Sequence, residues 1–381
     1  MCFFKKKTPL PENLLEIKKE LKRKRNENQL VEGEKLTKED ERLIKEITVK
    51  CSDFNQNNVT RTKAYLDFYR KHPQIHWAFL GHMVSRNGGW NMTDLKGEFL
   101  SRIMNDRTKK DFYSFLERGN WLIFQDVYPQ FLLYEKSLKR NHNLFYLLSH
   151  FGVSVFMEPI WNYFWKTKDS YILTVALIIN EQSYLEKRVV QNEKYRSRVL
   201  NTIPFKLQDI LTFNQIVFPY DKGGISYGRA ELIGLSLHYF SSLHERILLG
   251  KRLYSLLFHH EEVLEKVFQW AVSHPHTGSR KDYWPDLFND VKEELPNEYS
   301  SLRLKDCQLK EGANKIYSPR LEYAWKNIIQ PKAEPGDWFN NWRIIEYLKK
   351  EDGLVEGEIK REYCKTLETL ELAVFAKNAI Y

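Results

Sequence analysis

The stretch richest in side chains that can do chemistry is residues 58–97, NVTRTKAYLDFYRKHPQIHWAFLGHMVSRNGGWNMTDLKG. Two histidines, His76 and His82, stand in an apolar segment, with Arg61, Arg86, Asn87, Asn91 and Asp94 nearby in the sequence. Imidazole moves protons near neutral pH. Guanidinium neutralises anions and carboxamides orient polar groups. Gly88-Gly89 reads as a break between two helices, and the free N–H groups of a helix start beside Arg86 suit an anion. The set points to a pocket for a small anionic or polar ligand, with hydrolysis or group transfer as its chemistry if it has any. In that pocket His76 or His82 is the general base, Arg61 and Arg86 neutralise, Asn87 and Asn91 orient, and Asp94 completes the wall. A plainer alternative has equal physical standing. The glycines then only turn the chain, and the polar residues cap helices and satisfy a core histidine, because a buried imidazole needs partners for both nitrogens.

Three other clusters carry weaker signals. His274 and His276 with Asp282 have the residue types of a metal site, but no third and fourth ligand is identifiable, and a solvated turn accounts for them. No metal is assigned. Glu231, His238 and Glu245 recur every seven residues along a helix expected at 229–249, where Ser241 and Ser242 make the same face a solvated one. The loop 220–229, with Lys222, Gly223, Gly224 and Arg229, is either a phosphate cradle or an interhelix turn needing positive-φ glycines. No Walker loop, GxGxxG, HExxH, zinc-finger, EF-hand or GxSxG pattern is present, so no cofactor is named.

The elements that position these residues read as helices. The 381 residues are 14% aromatic, with only 17 Gly and 13 Pro, which argues against an all-β fold with its many turns. Hydrophobic residues make up 42%, too many for a disordered chain. The expected fold is all-α: a basic helical N-terminal segment (1–50), an aromatic-rich helical core (51–330) and a helical C-terminal extension (331–381). An apolar helix is expected at 73–86, helices at 109–118, 121–139, 143–150, 158–166, 170–200, 204–213, 229–249, 260–272, 320–329, 337–350 and 358–378, and a small hairpin near 201–227.

Net charge is +9. Only 18–25 concentrates it, which leaves weak nucleic-acid or anionic-surface binding, or a scaffold role, as the alternative to a small ligand. The four cysteines form no CxxC pair, so a disulfide is not expected and a reducing compartment fits. The N-terminus lacks the apolar run of a signal peptide, and the longest apolar run, 171–179, is too short to span a bilayer. The expected location is the cytoplasm, with no transmembrane segment.

Residues 58–97, HFGVSVFMEP at 150–159, IVFPYDKGGISYGR at 216–229, HPHTGSRKDYWP at 274–285 and SPRLEYAW at 318–325 give the chain a resemblance to the YppC-like family of uncharacterised proteins from Bacillus-type bacteria. The resemblance covers most of residues 50–340. It implies a bacterial cytosolic setting and carries over no functional residue.

Overall fold

Capping chemistry marks where the helices begin. In this computed structural model, residues 9–28, 36–202, 205, 214–222, 228–292, 302–350 and 355–380 are described. The first eight helices are α1 (Glu12–Asn28), α2 (Lys38–Phe54), α3 (Asn58–Lys71), α4 (His76–Asp94), α5 (Glu98–Ile103), α6 (Asp106–Arg140), α7 (Met157–Thr167) and α8 (Ser170–Leu185). Thr37 with Asp40, and Asn57 with Thr60, form reciprocal capping boxes for α2 and α3. Asn105 and Asp169 accept from the free N–H groups at the starts of α6 and α8. A hairpin follows, β1 (Gln215–Tyr220) antiparallel to β2 (Glu231–Ser236), then α9 (Leu243–Phe258), α10 (Glu261–Ser273) and, near the end of the chain, α11 (Lys360–Ile380). Short strand pieces lie between α10 and α11. The fold is predominantly α-helical, as composition predicts.

Helix α4 is the centre of the molecule. It packs on α3, α6, α8, α5, α9 and β1. Its apolar side chains Trp77, Phe79, Met83, Trp90 and Met92 are all within 2% of complete burial. The described part of the N-terminal segment lies on the body, with Leu14, Ile17 and Leu21 of α1 buried and α1 packed against α7. No described helix is long and apolar enough to cross a membrane.

Several local expectations are corrected. Gly88-Gly89 does not break a helix, since α4 runs through it to Asp94. Gly119-Asn120 does not divide α6 either. One glycine costs a helix only about 1 kcal/mol, which tertiary packing outweighs. Residues 231–236 are strand rather than helix because β1 supplies a hydrogen-bonding partner, and the helix expected from 229 starts at Leu243. The expected hairpin exists, shifted to 215–236. Residues 143–150 give a 3-10 turn, Phe145–Phe151. Helix α8 ends at Leu185 and two π-turns follow, Glu186–Val190 and Arg196–Leu200. Most of 204–213 lies outside the described residues, as do Gly223 and Gly224 and the basic residues 5–7.

After a single turn, Leu321–Ala324, the chain runs as an irregular strap to a 3-10 segment, Trp342–Leu348. Backbone carbonyls in such a strap need partners, and two arginines provide them. Arg118 donates to Pro331 O at 2.6 Å, and Arg188 to Glu334 O and Gly336 O at 2.8 Å each.

The cysteine reading is also corrected. Cys307 and Cys364 are joined in a disulfide across a separation of 57 residues, tying the β-turn at 304–309 to α11. Cys51 is free and buried. A local sequence rule could not pair two cysteines with no motif around either.

Candidate functional site

Two faces of α4 meet two different environments. Trp77, Leu80, Gly81, Val84, Gly88 and Asn91 follow helical spacing and line a cavity of about 240 Å³. On its other side, Arg86, Gly89, Trp90, Thr93 and Asp94 receive the loop that follows α10.

The cavity wall is built by α3, α4, α6, α8, α9 and residues flanking the hairpin. Most of it is apolar. Its polar groups are Arg61, Ser85, Asn87, Asn91, Asn120, Glu181, Gln182, Asn214 and Arg246. Both arginines are already neutralised. Arg61 meets Glu117 at 2.5 Å and donates to Asn55 at 3.1 Å. Arg246 is ion-paired with Glu186 and donates to Gln182 Oε1 at 3.0 Å. Among the described residues Glu181 has no such partner. It accepts from Gln182 Nε2 at 3.0 Å and from the Trp77 indole. Burial pushes its carboxyl up to about 8, and Asp126 adds to the shift, so it is largely protonated at neutral pH. Asp126 lies behind it, raised by burial to about 7 and held by Asn180 and Gln130.

The residues singled out in the sequence divide between the two faces. Arg61, Asn87 and Asn91 reach the cavity wall. Asn87 is also tied to the hairpin: its amide donates to Val217 O at 2.9 Å and its oxygen accepts from Val217 N at 2.8 Å. The Asn91 oxygen accepts from Arg280 at 3.3 Å. His76 stands off the cavity, bonded to the Tyr254 hydroxyl at 3.0 Å and stacked on Phe258. Burial lowers it to about 4. His82 is 2% exposed, with Nδ1 2.8 Å from Thr62 O. Burial and then Arg86 hold it well below the usual imidazole range. Both rings are therefore neutral at pH 7.

Arg86 is fully buried on the opposite face. It donates to His274 O at 2.8 Å and lies 4.4 Å from the Trp270 ring centre. Burial lowers it to about 10, opposed by Asp282. Asp94 binds Arg280 through both oxygens, at 2.9 and 2.6 Å. These contacts form a polar seam between α4 and residues 274–284. In it, His276 Nε2 donates to Asn58 Oδ1 at 2.8 Å, and its Nδ1 lies 3.4 Å from Asp282. Asp282 also accepts from the Thr277 hydroxyl and N–H. Burial raises the Asp282 carboxyl, but His276, Arg86 and Thr277 outweigh it and hold it below its ordinary range. His274 Nδ1 faces Ser273 and Trp270 O instead of this group. Among the described residues no cluster of three or more His, Cys, Asp or Glu could hold a metal. Of the other clusters, Arg229 pairs with Asp286 at 2.9 Å, and Glu231 with Lys360 at 3.0 Å.

Gly89 explains why the glycine pair sits inside a helix. A Cβ there would lie 2.3 Å from both Asn58 Oδ1 and His276 Nε2. At Gly88 it would meet only the Asn120 side chain, at 3.2 Å. Gly89→Ala should therefore destabilise the protein by about 2–3 kcal/mol, by forcing apart a buried hydrogen-bonded pair. Gly88→Ala should be within about 1 kcal/mol of neutral because better helix propensity offsets a small shift of Asn120. Urea unfolding of the two variants checks this, and equal losses would refute the assignment of Gly89.

Sequence reading missed Glu181, Gln182, Asn120, Arg246 and Arg280. For the first two a signal existed. Residues 171–179, apolar but for Thr174, continue in helical register into Asn180, Glu181 and Gln182. A helix buried all round must bury the polar residues that extend it. Asn120, Arg246 and Arg280 come from segments up to 160 residues apart, and no local pattern links them.

Comparison with known proteins places this arrangement in a family. The uncharacterized protein YppC of Bacillus subtilis (strain 168) is 43% identical over 241 residues, covering 63% of this chain and 73% of that protein. No solved structure matches. Residues 53–361, which include all of α3 to α10 and thus both faces of α4, match the family described as "protein of unknown function (DUF2515)". The chain belongs to the DUF2515 family.

Proposed function

We propose that the protein binds a small molecule in the cavity beside α4, and that this ligand has an apolar body and one hydrogen-bonding head. The observation that carries the reading is the wall itself. A space of about 240 Å³ exceeds the roughly 150 Å³ that accommodates benzene in an engineered cavity. Its lining is mostly apolar with nine polar side chains set into it, the composition of a site that fixes a ligand's orientation with its polar groups. Of the sequence-selected set, Arg61, Asn87 and Asn91 belong to this wall, joined by Asn120, Glu181 and Gln182. Neutralisation of Arg61 by Glu117 and of Arg246 by Glu186 favours a polar head over an anionic one. No chemical step is assigned to His76 or His82, whose partners are Tyr254 and Thr62.

Gly119 offers a clean test. It lines the cavity, and a Cβ added there meets nothing within 4 Å. Gly119→Leu fills the space from a helix position that leucine favours. Benzyl alcohol at 100 times its dissociation constant should stabilise the wild type by about 2.7 kcal/mol. The filled variant should show no comparable gain, measured as the ligand-dependent shift in unfolding. Equal stabilisation of both, or none of the wild type at tens of millimolar, would overturn the reading.

A further inference from the structure

The cavity contains an unbalanced charge site. The wall's two cations each have their own carboxylate. Glu181 is the carboxyl on the wall itself among the described residues, and its bonding partners are the neutral Gln182 and Trp77. Among the described residues, the titratable and charged groups around it are Asp126 of α6, Tyr65 and Arg61 of α3, and Arg246 of α9. Asp126 repels a charge on Glu181, and the arginines are committed elsewhere. Among the described residues, counting the wall together with the two carboxylates that pair its arginines, full ionisation leaves one negative charge in excess.

Aromatic rings share the wall with this carboxyl, and Trp77 meets it through its indole N–H. Tyr65 and Trp77 both line the cavity, with ring centres 5.3 Å apart and planes at 83°. Phe240 lines it too. Two nearly perpendicular rings next to a carboxylate are the components that recognise an organic ammonium, through the ring quadrupoles and a charge-assisted hydrogen bond.

We propose that the ligand's polar head is an amine, bound as an ammonium ion between Glu181 and the rings of Tyr65 and Trp77. The proposal rests on the cavity being the binding site. It accounts for a carboxyl left without a cation in a largely apolar space, where burying a charge is unfavourable until a partner arrives. On binding at neutral pH, the Glu181 O–H gives its proton to buffer, and the resulting carboxylate accepts hydrogen bonds from the ammonium N–H groups. No covalent bond forms. Gln182 keeps the carboxylate oriented through its Nε2 bond, and its own oxygen is held by Arg246.

The experiment compares benzylamine with benzyl alcohol on the full chain at pH 7 by calorimetry, in two buffers of different ionisation enthalpy. The alcohol reports the cavity and the amine reports the charge site. The expected result is binding of both, with the amine tighter by about tenfold or more and close to one proton released per amine bound. Glu181→Gln, which keeps size and hydrogen bonding, should bring the amine-to-alcohol affinity ratio to about one or below and remove the proton release. If the alcohol binds and the amine does not bind more tightly, or Glu181→Gln keeps the amine preference, the amine assignment is wrong while the cavity reading stands. If neither probe binds, or Gly119→Leu binds both as the wild type does, the cavity reading itself has failed.

Discussion

Arg280→Met is expected to destabilise the protein by about 3–5 kcal/mol, the usual consequence of removing one partner from a buried ion pair. Arg280 is 4% exposed and sits where three chain segments meet. Its guanidinium binds Asp94 of α4 through three contacts, and it reaches the hydroxyls of Tyr283 and Tyr363 at 2.7 and 2.6 Å. Those hydroxyls are themselves 2.6 Å apart. Methionine approximates the shape and removes every donor, leaving Asp94 without its charge partner. The second arm of the test is Asp94→Asn in the Arg280→Met background. Removing the stranded carboxylate should recover part of the loss, because the two sites share one interaction. Urea unfolding followed by tryptophan fluorescence measures both. A loss below about 1 kcal/mol for the single variant would show that the seam is not the junction described.

Loss of the Cys307–Cys364 disulfide should cost about 4 kcal/mol. The estimate follows from the loop-closure entropy of a 57-residue separation in the unfolded chain. The bond also acts locally. It fixes α11 next to Tyr363, which contacts Arg280, and near Glu371, which accepts from Arg303 at 3.1 Å and from Leu304 N at 2.8 Å. Reduced wild type and the Cys307→Ser/Cys364→Ser variant should unfold at the same, lower urea concentration. Oxidised and reduced wild type unfolding together would contradict the cross-link. Since Tyr363 neighbours Cys364, the cysteine and Arg280 substitutions should combine with less than additive loss.

The helical class was legible because few glycines and prolines interrupt long apolar periodicity. Boundaries were less legible where tertiary contacts overrule local preference. Residues 232, 235, 239 and 243 satisfy a helical stripe, yet 231–236 pair with β1. Within that strand, a Cβ on Gly234 would approach Ile216 O to 2.0 Å. Gly89 looked like punctuation and is instead a point of close approach to His276. The Arg/His/Asn set around α4 was legible by residue type. Its division into a cavity wall and a docking seam was not, since helical phase alone does not say what lies opposite each face. Glu181 was hidden for a related reason: its isolation depends on which cations pair with other carboxylates.

The seam has a consequence for how the chain comes to its structure during synthesis. Helix α4 is complete once Asp94 has been made. The partners of Arg86, Asn87, Asn91 and Asp94 lie 188, 130, 189 and 186 residues further on. At roughly 5–20 residues per second, the ribosome delivers the last of them about 10–40 s later. Through that interval the α3–α4 hairpin carries a guanidinium, two carboxamides and a carboxylate that must stay hydrated. Its central helix can therefore be buried on the α6–α8 side early and on the other only late. The order of translation is thus expected to leave a waiting state in which these groups stay wet, ended by β1 for Asn87 and by the loop 274–284 for the other three.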